Sequence, residues 1–206
     1  MNQSSEIQHL LLDKVDQGIT SLRRPGTIMT PAGTLLLYYD IRDGEGASSI
    51  WQLVAHRSTD SGKTFQRLIL ETGKPGCEVH NAVMLSGLDD EVHLLWNTNH
   101  DSCFYRHSAD GGKTWGGTRN LTPMLEACRN CYPWKVLSVG PGHGIRLSSG
   151  RLVVPLWLSK SESHKPSAFA SFYSDDNGQT WSVGQMLEHS KTFVNPNEGA
   201  ITEISG

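Results

Sequence analysis

Along most of this chain, apolar and polar residues alternate in short bursts that are broken by Gly, Asp, Ser and Pro. The bursts come in ordered sets of three. PGTIMTP, GTLLLYYDIR and IWQLVAHRS fill most of residues 25–58. HNAVMLSG, EVHLLWNTN and CFYRHS follow, and then HGIRLSSG, GRLVVPLWLS and AFASFYS. Period-two runs rich in β-branched and aromatic residues, bounded by turn formers, predict strands. The 3.6-residue period of an amphipathic helix is visible only over residues 5–17.

Each set closes on a copy of one eight-residue phrase: STDSGKTF at 58–65, SADGGKTW at 108–115 and SDDNGQTW at 174–181. A fourth strand is expected after each phrase. The repeat is therefore four strands, with the phrase turning between the third and the fourth. Antiparallel units of about 50 residues are the signature of β-propeller blades. The pattern predicts an all-β chain with three blades over residues 20–206 and an N-terminal extension over 1–19. The closing NEGAITEISG is expected to begin a fourth blade. A propeller buries its blade faces around a closed ring, so three blades and one strand imply a fragment of a longer chain, or a partner that completes the ring.

The repeated phrase reads as punctuation. A short carboxylate at Asp60, Asp110 or Asp176 can accept backbone N–H bonds across a tight turn, and the following glycine permits positive φ. One aspartate per linear run supplies too few oxygens for calcium. The terminal Phe65, Trp115 or Trp181 is expected to tuck between sheets.

Composition narrows the partners. The net charge of −3 and the absence of Lys/Arg runs argue against nucleic acid or an anionic membrane surface. No apolar stretch is long enough to span a bilayer, and the first residues lack the basic and apolar regions of a secretory signal, which points to the cytoplasm. Of the four cysteines, Cys128 and Cys131 form one CxxC with no second pair at similar spacing, so reduced structural thiols are expected rather than zinc. The nine histidines show no metal-ligand spacing and read as surface or core residues.

In an up-and-down blade, the phrase-bearing turns occupy one rim and the longer loops the other. Chemistry is expected among the longer loops. Three places stand out there. Arg23-Arg24-Pro25 opens the first inner strand, where a guanidinium can grip a carboxylate. Asp43, with Glu45 close by, lies between the second and third strands. Glu198 stands at the start of the last strand, with Glu203 farther along it.

These motifs resemble the sialidase (exo-α-neuraminidase) superfamily, whose fold is a six-bladed β-propeller. LRRPGTIMTPAGTLLLYYDIR is similar to that family's opening Arg-x-Pro hairpin, with Leu22 and Arg24 replacing its usual residues on either side of Arg23. DGEGASSI is similar to the loop carrying its acid/base Asp, VGPGHGIRLSSGRLVVPLW to a third-blade segment, and NEGAITEISG to the strand carrying its catalytic Glu. The resemblance implies that Arg23 holds the substrate carboxylate, Asp43 serves as acid/base, and Glu198 activates a tyrosine nucleophile. A tyrosine avoids the charge repulsion that a carboxylate nucleophile would meet at an anionic anomeric centre. No cofactor is implied, and the implied substrate is a sialylated glycan. In the family the tyrosine and two further arginines follow the Glu, so the 206 residues alone are expected to be inactive. Glu45, Arg24 and Glu203 remain alternatives to their neighbours. A non-catalytic glycan- or protein-binding propeller and a glycosidase for a related nonulosonic acid remain alternative functions.

Overall fold

The computed structural model describes residues 9–15, 19–44 and 49–204. The first blade is β1 (Ile19–Met29), β2 (Leu35–Asp43), β3 (Ile50–Ser58) and β4 (Gln66–Thr72), an antiparallel meander in chain order. The second is β5 (Val79–Ser86), β6 (Val92–Thr98), β7 (Ser102–Ser108) and β8 (Arg119–Asn120). A five-residue helix, α1 (Thr122–Glu126), leads to the third blade. There the inner strand is broken into β9 (Val136–Val139), β10 (Gly142–His143) and β11 (Ile145–Arg146). It is followed by β12 (Leu152–Ser159), β13 (Ser167–Ser174) and an outer strand in two pieces, β14 (Ser182–Val183) and β15 (Leu187–Glu188). β9 and β11 both pair with β12, while β10 swings across to pair in parallel with β5 of blade 2.

Three blades are thus present at the predicted places. Residues 9–15 form no helix, although they fall within the predicted 5–17. They cross the outer face of blade 1, where the Asp13 carboxylate accepts hydrogen bonds from Tyr39 Oη at 2.7 Å and Arg67 Nε at 3.1 Å. Up to Ile204, the segment expected to open a fourth blade shows no strand pairing. A strand needs ladder partners, and the described residues offer it none. It runs along blade 3, where Glu203 accepts from Ser148 N and, at 2.7 Å, from Ser148 Oγ.

Two apolar clusters hold the blades together. One lies between blades 1 and 2 and includes Leu36, Tyr38, Leu53, Met84 and Trp96. The other, between blades 2 and 3, includes Leu95, Tyr105, Trp134, Phe172 and Trp181. Tyr38 is the point where all three blades meet. Its ring fills the space over Gly26, where a Cβ would come within 2.4 Å of it. Its hydroxyl accepts from Met84 N in blade 2 at 3.1 Å and donates to Gly142 O in the blade 3 crossover at 2.5 Å. Burial pushes its pKa up, so the hydroxyl keeps the proton it donates.

The repeated phrases form one turn three times. Asp110 Oδ1 accepts from Thr114 N at 2.8 Å and Oδ2 from Thr114 Oγ1 at 2.6 Å, while Ser108 Oγ accepts from Gly112 N at 2.8 Å. Asp60 and Asp176 repeat the arrangement. The two residues directly after each aspartate are left-handed: Ser61–Gly62, Gly111–Gly112 and Asn177–Gly178. That conformation explains why only small or amide side chains stand there. Each of the last two turns is also clamped from the preceding blade. Arg57 Nε donates to Gly111 O at 2.8 Å, and Arg119 Nη1 donates to Gly178 O at 2.7 Å.

Two outcomes follow for stability. Tyr38→Phe removes the hydroxyl partner of a buried amide and a half-buried carbonyl and should cost about 1–3 kcal/mol, read by urea unfolding. For Asp110, desolvation raises the pKa, but the Thr114 hydroxyl and amide bonds outweigh it and hold the carboxyl down at about 2. A depressed folded pKa stabilises above the unfolded value and is lost as pH falls through the folded one. Asp110→Asn should therefore lower Tm by roughly 2–4 °C at pH 7. The gap from the parent protein should close between about pH 5 and 2; a constant gap would refute the charge-based account.

Candidate active site

The long-loop rim gathers polar groups from all three blades. Along β2 the residues Leu36, Tyr38 and Asp40 alternate inward, so the third inward position carries a carboxylate. Asp40 is fully buried. Its Oδ2 accepts from Arg24 Nη1 at 2.7 Å and from Asn81 N in blade 2 at 3.2 Å. Burial pushes the Asp40 carboxyl up to about 6, an effect that the neighbouring Arg24 and the backbone N–H groups only partly offset. At neutral pH Asp40 remains largely ionised.

Arg24 reaches Asp40 because the β1–β2 register slips between Arg23 and Gly26, and Arg24 takes a φ of 53°. A left-handed arginine is strained, and the pairing with a buried carboxylate offsets the strain. The guanidinium of Arg24 lies 5.9 Å from the Trp51 ring centre, and that of Arg42 lies 5.5 Å from the same ring. His80 packs edge-on to Trp51 and 4.1 Å, centre to centre, from His100, which in turn neighbours Trp157 and His164.

This rim holds a concentration of buried polar atoms without partners: Asp40 Oδ1, Arg42 Nε, Trp51 Nε1, both ring nitrogens of His80, Asn81 Oδ1, His100 Nδ1 and Trp157 Nε1. Buried polar groups are normally paired. So many orphans at one rim mark a place built to be filled by a polar ligand or ordered water. Desolvation, with smaller repulsion from neighbouring cationic groups, holds His80 down at about 2 and His100 down at about 4, so both imidazoles are neutral at pH 7. Two arginines against one carboxylate leave this cluster with a surplus positive charge, which suits an anion.

Each sequence-predicted residue has a definite place. Arg23 is exposed and lines a lateral cavity of about 300 Å³ with Leu10, Leu12, Asp13 and Tyr39, away from the Arg24–Asp40 pair. Asp43 is exposed at the end of β2, opposite Ile19 and Ile50, at the same rim as Arg24 and Asp40. Glu45 lies outside the described residues. Glu198 is exposed, with a φ of 36°, and adjoins Gly199, which lies against Phe169 near the long-loop end of β13. Glu203 is farther along, bonded to the β11–β12 turn on the opposite rim. Asp40, Trp51, His80, Asn81 and His100 did not stand out as site residues in the sequence. A signal for Asp40 was there, since it continues the inward alternation of Leu36 and Tyr38.

A BNR repeat-like domain matches residues 67–203. Rat Sialidase-3 is 27% identical over 232 residues, covering 98% of this chain and 54% of the rat protein. Human Sialidase-3 is 34% identical over 225 residues, covering 93% of this chain and 50% of the human protein. The chain thus spans about half the length of these curated relatives. Among solved structures, the sialidase of Trypanosoma rangeli in complex with the inhibitor DANA superposes with a TM-score of 0.65 at 20% identity, covering 80% of this chain and 30% of that one. That likeness carries the fold: three blades of a sialidase-type propeller. The chain belongs to the BNR repeat-like domain family and is a member of the sialidase superfamily.

Proposed function

We propose that these three blades belong to an exo-α-sialidase that removes terminal sialic acids from glycoconjugates. The observation that carries the reading is the rim cluster of Arg24, Asp40 and Arg42. It has surplus positive charge and unpaired buried polar atoms, and Asp43 stands at the same end of the blade. A sialoside brings a carboxylate for the guanidinium and hydroxyl and N-acyl groups for the orphaned atoms.

In this reading Asp43 protonates the leaving oxygen and then activates water. Glu198 withdraws the proton from a tyrosine nucleophile supplied by the rest of the ring. Of the two adjacent arginines, Arg24 fits the carboxylate-binding role better than Arg23. Asp40 anchors one edge of its guanidinium, the way an anion-binding arginine is held in a fixed orientation. The names of the relatives favour the same chemistry.

The decisive experiment is hydrolysis of a fluorogenic aryl α-sialoside by a polypeptide in which blades 1–3 are joined to the remaining blades. Asp43→Asn should lower kcat/KM by about 10²- to 10⁴-fold. Arg24→Ala should weaken sialic acid binding roughly 10- to 100-fold, from a charge-assisted bond of about 1.5–3 kcal/mol, whereas Arg23→Ala should change it less than about threefold. Full activity in Asp43→Asn, or the reverse ranking of the two arginines, would overturn these assignments. Glycan binding without turnover would favour a non-catalytic propeller. Asp40 takes up a proton as pH falls through about 6, which removes a negative charge beside Arg24. Sialic acid affinity should therefore tighten a few-fold between pH 7 and 5, and Asp40→Asn should flatten that dependence.

A further inference from the structure

On the opposite rim, three potential ligands converge that no part of the sialidase reading uses. Glu91 directly precedes β6, and His93 is two residues on, so both project from one face of the sheet. His93 is paired directly across the ladder with His107 of β7. One donor atom from each of Glu91, His93 and His107 lies within 4.8 Å of the others. An i, i+2 pair plus a cross-strand residue is a way for a rigid antiparallel sheet to present three ligands to one point.

The local chemistry favours a cation. His93 is completely buried. Its Nδ1 is 2.8 Å from Tyr105 Oη, while its Nε2 has no partner. A hydrogen bond at one ring nitrogen orients the imidazole and leaves the other for a metal. His107 Nε2 is likewise without a hydrogen bond and stands 3.5 Å from Glu91 Oε1. Gly87 forms the wall beside them. A Cβ there would lie 2.6 Å from Glu91 Oε2 and 2.9 Å from His93 Nε2, so the glycine keeps the space between the ligands open. Asn177 of the blade 3 turn brings its amide nitrogen within 3.4 Å of both Glu91 oxygens, so the same spot bridges two blades.

We propose that Glu91, His93 and His107 form a zinc site, with the fourth position taken by water. Two imidazoles and one carboxylate are a zinc-type donor set, whereas calcium and magnesium demand oxygens. Zinc–nitrogen bonds of about 2.0–2.1 Å require the donors to close inward slightly, and the partly exposed side chains of Glu91 and His107 can do so. The site lies across the blades from Arg24 and Asp40. Its role is to fasten the turn before β6 to the repeated turn of blade 3, with no part in glycan chemistry.

The test uses tag-free protein and zinc chloride, read by calorimetric titration and thermal unfolding. The expected result is one equivalent bound with micromolar or tighter affinity. Tm should rise about 5–10 °C at a hundredfold excess over Kd, and cobalt(II) should give the visible absorption of a tetrahedral site. Because His93 is part of the core, the informative variants are the partly exposed ones. His107→Gln and Glu91→Gln should each weaken binding at least about tenfold with an unchanged circular dichroism spectrum, while Cys128→Ser/Cys131→Ser should leave binding intact. Absence of binding at 100-fold molar excess, retention of full affinity in both His107→Gln and Glu91→Gln, or loss of binding in the double serine variant would each overturn the proposal.

Discussion

The packing of Tyr38 between blades constrains the rest of the molecule. Its ring demands a glycine beneath it in its own blade. Its hydroxyl ties the inner strand of blade 2 to the crossover that opens blade 3. Without that tie, the parallel pairing of Gly142–His143 with Val83–Met84 would lose its only side-chain brace from blade 1 among the described hydrogen bonds. The crossover also explains why the inner strand of blade 3 is broken: its middle piece is spent on its neighbour instead of on its own sheet.

The repeated turns act in the same direction from the other rim. Each is a closed loop of serine, aspartate and threonine hydrogen bonds, rigid enough to present backbone carbonyls outward. Arg57 and Arg119 grip those carbonyls from the preceding blade. Trp181 enters the core between blades 2 and 3, while Trp115 packs against the cluster between blades 1 and 2. The phrase is therefore both a turn and an interblade fastener, which accounts for its recurrence better than chemistry does. The three-ligand cluster beside the last of these turns fits the same fastening role.

The opposite rim has the reverse character. There the polar groups are buried but incompletely paired, and an arginine is held in a strained conformation by a carboxylate whose own pKa is raised. Such groups would be a liability in a purely structural surface. Under the proposed function a charged polar ligand supplies the missing partners at this rim, while the repeated turns at the other rim fasten the blades.

The all-β class, the three blades and the strand-turn-strand position of each repeated phrase were legible in the sequence, because period-two patterning and turn chemistry are local. The longer, more polar loops of one rim were visible in the sequence too, because loop length and composition are local. The tertiary structure decided what local signals cannot carry. A slip in strand register turned Arg24 rather than Arg23 toward Asp40. Burial from three blades made Asp40, His80 and His100 unusual. Pairing across a ladder joined His93 to His107, whose separation of 14 residues resembles no linear metal motif. Residues brought together by register and by packing between blades have no fixed spacing along the chain, so the sequence determined which elements exist, and only their assembly determined which side chains meet.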